Sequence, residues 1–221
     1  MIVELTHPFM WRCPDPAFLF HKCNRLNSFL KKVEQQLEQV YPDIEYHTDQ
    51  EKKAATDDKN SYKGDSFELL IEALIRLSPV DKRVGPIKDY KIVTRGDIGV
   101  DGHGIFGNGK PGTVQCKYRQ HDHVLTGNPD HLFSFANASY MDTSVGGFGV
   151  DPKPDANGKC NMIIFTSAGS LNFFTDATMF GGVVHAICRN DLRKLLDGND
   201  LFWEYFKESW IKSLKEIKKH E

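Results

Sequence analysis

The chain has 221 residues, 40% hydrophobic and 26% charged, which suits an ordinary globular protein with a core that needs no disulfide or metal staples. Its 28 Lys and Arg against 30 Asp and Glu leave a formal charge of −2, so the overall balance does not announce a nucleic-acid binder. It does not exclude one, because a carboxylate-rich site can mask a local basic surface.

The first 45 residues read as mainly helical. FLFHKCNRLNSFLKKVEQQLEQVY places Leu19, Leu26, Leu30, Val33, Leu37 and Val40 at helical spacing, with Pro42 just past the end. HTDQEKKAATDDKNSYKG is polar throughout and reads as an exposed linker. From Gly64, GDSFELLIEALIRLS predicts an amphipathic helix capped by Asp65 or Ser66 and stopped by Pro79, with Phe67, Leu70, Ile71, Leu74 and Ile75 inward. Three β-like segments follow, DYKIVTRG, VDGHGIFG and GTVQCKYR, and the GNGKPG turn predicts that the last two pair as a hairpin.

HLFSFANASYM reads as a helix, and Gly146 to Gly158 as a loop. NMIIFTSA is a continuous apolar run suited to the middle of a sheet. LNFFTDATMF looks helical, VVHAICR a second buried strand, NDLRKLLD a helix capped by Asn190 or Asp191, and DLFWEYFKESWIKSLKEIKKHE a final amphipathic helix. The order predicts an α/β sheet protein in three parts: a helical extension and linker over 1–60, a core over 61–200 and a C-terminal helix over 201–221.

Chemistry concentrates in GDIGVDGHGIFGNGKPGTVQCKYR. Residues two apart on a strand share a face, so Gln115 and Lys117 point together while Val114, Cys116 and Tyr118 point away. The hairpin can bring Asp101 opposite that pair. A carboxylate and an amide oxygen are hard ligands suited to Mg²⁺ (or Mn²⁺), and an ammonium would stand beside them. Glu68 on the preceding helix can add a carboxylate. Such a set suits metal-assisted hydrolysis of a phosphodiester, with the cation on a phosphate oxygen and the lysine stabilising developing charge.

GDSFE, GDIGVDG and VQCKYR, in that order, resemble the PD-(D/E)xK nuclease superfamily, specifically its Mrr-like restriction-endonuclease branch. The likeness continues through IIFTSAGSLNFFTDA and VVHAICRNDLRKLL and covers roughly residues 61 to 197. It implies a restriction-endonuclease-like core, a central mixed sheet flanked by helices. It also implies a DNA endonuclease in which Asp101 is the metal-binding acid, Gln115 the second ligand, Lys117 the catalytic lysine and Glu68 the helix acid. Gln115 departs from the superfamily's commoner Glu and lowers the negative charge at the metal. The Cys116 backbone carbonyl is a further possible ligand, although its side chain reads as a small core group.

Each residue also has an ordinary structural use. Glu68 sits one turn before Glu72, where surface glutamates are the default, Asp101 between glycines can simply make a turn, and Asp97 competes for its role. Lys117 in an apolar strand is harder to explain as structure. His121, Asp122 and His123 complete no zinc set, nor do Cys13, His21 and Cys23, and Phe173, Phe174 and Phe180 read as core. Arg76, Lys82, Arg83, Lys88, Lys91 and Arg95 against two Asp give +4 between residues 76 and 95. Lys82, Arg83 and Arg95, with Lys110 and Arg119, are the candidate phosphate contacts.

DNA is the expected partner, alongside a helicase or translocase or a second copy of the chain, since there is no P-loop. A catalytically silent DNA-binding or assembly module is the alternative reading. No apolar run approaches the roughly 20 residues of a membrane span, and MIVELTHPFMWRCPDP lacks the regions of a signal peptide. The five scattered cysteines, without a CxxC pair, point to a reducing intracellular compartment, cytoplasmic if the source is prokaryotic or phage.

Overall fold

The computed structural model describes residues 1–42, 45–78, 85–93, 99–126, 130–151, 153, 161–171 and 184–217. They form two compact units, residues 1–73 with 193–221, and residues 74–192.

The first unit is helical: α1 (Phe9–Arg12), α2 (Pro16–Phe20), α3 (Leu26–Val40), most of α4 (Asp49–Leu77) and α7 (Asp200–Ile217). The helix expected to run from Phe18 to Tyr41 is broken after Phe20. Lys22 adopts a φ of 50°, and α3 restarts at Leu26, whose amide donates to Asp197 Oδ1 at 2.9 Å. The cap of α3 is thus supplied from far along the chain.

The polar stretch expected as a linker is helical instead: α4 begins at Asp49 and runs through Gly64. Its start is a capping box. Thr48 Oγ1 accepts the Glu51 amide, and the Glu51 carboxylate accepts the Thr48 amide at 3.1 Å. The lack of apolar residues there means exposure along much of the first three turns rather than loss of helix.

Phe9, Phe29, Tyr62, Phe67, Phe206 and Trp210 are all fully buried. Their edge-on contacts, such as Phe9–Tyr62 at 4.8 Å between centroids, each add about 0.5–1.5 kcal/mol to the burial itself. Gln36, also fully buried, has both atoms of its amide bonded. Its Nε2 donates to the Asp15 carbonyl at 2.5 Å, and its Oε1 accepts from Tyr62 Oη and Cys13 Sγ. Burial pushes the Cys13 thiol up to about 12.

The second unit holds a mixed five-stranded sheet in the order β1-β2-β3-β5-β7: β1 (Lys88–Ile92), β2 (Gly102–Ile105), β3 (Pro111–Lys117), β5 (Met162–Thr166) and β7 (His185–Ile187). The first three are antiparallel, and β5 and β7 run parallel to β3. The hairpin between β2 and β3 is present, closed by Phe106 donating to the Lys110 carbonyl at 2.9 Å. α5 (Leu132–Tyr140) is the expected helix, and its Ser139 hydroxyl accepts from Thr113 Oγ1 of β3 at 2.7 Å.

Leu132 and Phe135 of α5 share an apolar cluster with Val100, Val150, Met162 and Ile164. All five residues of β5 are buried, as its unbroken apolar run requires. A second, two-stranded parallel sheet joins β4 (Val124–Leu125) to β6 (Ser170–Leu171) and was not anticipated. α6 (Arg189–Leu196) begins at Arg189, ahead of the caps expected at Asn190 or Asp191. The helix expected in LNFFTDATMF lies outside the described residues beyond Leu171. Among the described residues no helix is long and apolar enough to cross a membrane.

Glu72, expected at the surface, is fully buried. Its carboxylate accepts the Thr6 amide at 2.9 Å, the Thr6 hydroxyl at 2.7 Å and the His7 amide at 3.0 Å, tying the N-terminal segment to α4. Glu72→Ala leaves buried donors unpaired and should cost about 2–4 kcal/mol, read as a shift of the urea unfolding midpoint; a change under 0.5 kcal/mol would refute the clamp.

Candidate functional site

The hairpin register sets the site. The β2–β3 ladder ends at the Gly102–Val114 pair, and Asp101 is the next residue beyond it. The Asp101 amide donates to the Val114 carbonyl at 2.9 Å, while its Oδ2 accepts the Cys116 amide at 2.5 Å. The carboxylate therefore takes the place of a ladder acceptor and is held against β3.

Glycines allow this approach. Gly99 has a φ of 78°, and a Cβ there would lie 2.9 Å from the Phe135 amide nitrogen of α5. A Cβ on Gly102 would meet the Tyr90 hydroxyl at 2.2 Å, so the opposite face of β2 is filled by that ring.

Gln115 is 0% exposed, and among the described residues neither its Oε1 nor its Nε2 has a hydrogen-bond partner. Leaving such groups unpaired costs roughly 1–3 kcal/mol each. Lys117 ends β3 on the same face as Gln115 and is half-buried. Asp101 is thus tied to β3 at the Cys116 amide, on the strand whose alternation puts Gln115 and Lys117 on one face. Cys116 faces away and is buried. Asp101 and Gln115 offer the hard oxygen donors that a divalent cation prefers, and the unpaired Gln115 amide is the kind of group such an ion would satisfy.

Glu68 belongs to the first unit. Its Oε2 accepts from His7 Nε2 at 3.0 Å, and His7 Nδ1 accepts the Phe9 amide at 3.2 Å, so Nε2 carries the hydrogen. Asp65 pairs with Arg12 nearby. Burial and the Glu68 carboxylate push Asp65 up, against the pull of Arg12. His7, Asp65 and Glu68 bring possible ligand atoms within 4.8 Å of one another. With its Nε2 hydrogen aimed at Glu68, however, the imidazole presents no lone pair to a cation. His7 was not anticipated from the sequence. The legible clue was a histidine before a short aromatic helix, which has no metal or catalytic spacing.

The candidate DNA contacts divide. Lys82, Arg83 and Arg95 lie outside the described residues, as do Asp97, Phe173, Phe174 and Phe180. Lys110, exposed in the hairpin turn, pairs with Asp151 at 3.3 Å. Arg119 pairs through Nε with Asp130 at 2.9 Å.

Asp130 is 2% exposed and also accepts from His123 Nε2 at 3.2 Å and the Thr126 amide at 2.9 Å. His123 thus helps to organise a buried carboxylate. A cleft of about 530 Å³ opens among Asp89, Lys91, His103, Ile105, Pro111 and Phe148. Burial and Lys91 hold His103 below its ordinary value.

No family model, curated protein or solved structure matches this chain.

Burial alone would push Asp130 up, but the Thr126 amide, His123 and Arg119 overcome it and hold its carboxyl below the ordinary value. A depressed folded-state pKa stabilises the fold above the unfolded-state value, near 3.9, and that contribution is lost as pH falls through the lower folded value. Asp130→Asn should therefore cost about 2–3 kcal/mol at pH 7, with the gap to the unaltered protein closing below about pH 4. Urea unfolding at pH 7 and pH 3 checks it; a gap of equal size at both would refute the assignment.

Proposed function

We propose that this chain is a divalent-metal-dependent endonuclease that hydrolyses DNA phosphodiesters. The carrying observation is a contrast between two fully buried glutamines. Gln36 has both atoms of its amide bonded, by Asp15, Tyr62 and Cys13, while Gln115, on the strand that carries Lys117, has no partner among the described residues. An unpaired amide in the interior costs stability, and a ligand at that point explains its retention.

The restriction-endonuclease-like reading of the core draws support from element order. A helix carrying Glu68, an antiparallel strand pair that ends at Lys117 and a later parallel strand that ends at Thr166 follow one another in the order of the resemblance. Work beside a helicase or translocase, or as a homodimer, belongs to the same reading, as does an intracellular setting.

Asp101 and Gln115 would hold the cation, Mg²⁺ or Mn²⁺, which when bound supplies Lewis acidity at a phosphate oxygen. The chain's own contributions can be stated separately. The Asp101 carboxylate, fixed by the Cys116 amide, sets the position of the ligand pair. The Lys117 ammonium stabilises charge gathering on the phosphate as water adds to phosphorus and the leaving oxygen takes a proton. Buried walls of α5 and β5 behind Gln115 lower the local dielectric and strengthen both effects.

Asp101→Ala and Lys117→Ala should each abolish cleavage of supercoiled plasmid in Mg²⁺ or Mn²⁺ without unfolding the protein. Wild-type rates in either folded variant would sink the assignment.

Gln115→Met should separate function from stability. It removes an unpaired buried amide at nearly constant volume, so the unfolding midpoint should rise by about 1–2 kcal/mol while cleavage is lost. A destabilised variant, or a stabilised one that still cuts, would count against a ligand role.

A further inference from the structure

We infer that Thr166 and Ser167, at the carboxyl end of β5, are positioning residues for Lys117; the inference rests on the nuclease reading above. Lys117 is the last residue of β3 and pairs in register with Thr166. A lysine at a strand end has a freely pivoting backbone unless something fixes the following peptide plane. Here both acceptor positions of its carbonyl are used: Thr166 Oγ1 donates at 2.9 Å and the Ser167 amide at 3.2 Å.

Thr166 Oγ1 is itself oriented, because it accepts the Ala168 amide at 3.0 Å. The next grip is two residues on, where Ser167 Oγ accepts the Arg119 amide and donates to the Arg119 carbonyl, each at 2.7 Å. Arg189 holds the turn from the other side, its amide donating to the Ala168 carbonyl and its Nη1 to the Ser167 carbonyl.

Thr166 and Ser167 are both fully buried. A valine would fill the Thr166 site equally well for packing, so the hydroxyl is explained by its hydrogen bonds. Those bonds converge on the peptide that follows Lys117. The turn therefore sets the direction in which the lysine leaves the sheet, at the carboxyl ends of parallel strands, where α/β sheets place their chemistry.

The test compares Thr166→Val with Thr166→Ser in the full chain, using plasmid cleavage in Mg²⁺, binding of the same DNA in Ca²⁺, and thermal unfolding. Thr166→Val should lower kcat by about tenfold or more while KM and Ca²⁺-supported binding stay within twofold of the unaltered protein, roughly. Thr166→Ser, which keeps the hydroxyl, should recover most of the rate. If Thr166→Val fails to fold, Ser167→Ala carries the same expectation, because it removes the Arg119 clasp.

Normal kcat in folded Thr166→Val, alongside an inactive Lys117→Ala, would overturn the positioning role and leave the nuclease reading standing. A Thr166→Val protein that loses DNA binding and rate together, with no recovery in Thr166→Ser, would also overturn it. Absence of cleavage by the unaltered protein under all metals tried would overturn both.

Discussion

Strand pleating leaves the second unit little freedom once the β2–β3 register is chosen. A slip of one residue would turn Gln115 and Lys117 to the opposite face and bring Val114 and Cys116 to theirs. Several features resist it together. The turn closes through Phe106 and Lys110, the Tyr90 ring occupies the space over Gly102, and the Thr113 hydroxyl docks on Ser139 of α5. Asp101 adds a fourth lock by accepting the Cys116 amide. The residue proposed for chemistry therefore also helps to hold the register that places it, which makes its removal a change in geometry as well as in charge.

The two buried glutamines show how similar environments acquire different uses. Gln36 lies among aromatic rings, and every polar atom of its amide is answered by the chain. Gln115 lies behind a helix and between apolar strands, with neither amide atom answered among the described residues. Folding alone would favour an apolar residue of similar size there, since burial of an unpaired amide opposes stability. The same tension appears in Lys117, a cation at the end of a strand whose interior neighbours are apolar. Sites that oppose the local preference of the fold are where function is most economically sought.

What could be read from the sequence was mostly local. The hairpin, the shared face of Gln115 and Lys117 and the wholly buried β5 follow from period-two patterning and a six-residue turn signal, with partners close along the chain. The second half of α4, from Gly64 onward, is legible from its apolar face, whereas the first half carries no apolar signal, although Thr48 and Glu51 spell a capping box that needs none. Other features had no local signal at all. Asp197 caps α3 from 171 residues away, and Glu72 receives the Thr6 and His7 amides across more than sixty. A buried glutamate and an exposed one look alike until the chain that covers it is in place.

Charge behaves likewise. A formal count credits Lys110 and Arg119 to a basic surface, but each has a carboxylate partner, Asp151 and Asp130. The pairs are not equivalent. Lys110 and Asp151 are each about half exposed, so solvent screens their attraction and a phosphate can compete for the lysine at little cost. Asp130 is buried and also serves His123 and Thr126, so drawing Arg119 away would strand a carboxylate in the interior. Of the two, Lys110 is the residue whose charge can be lent to a polyanion, and Arg119 is committed to the loop that follows β3. A cation's value to a ligand depends on what it leaves behind, and that quantity is invisible to a count of lysines and arginines.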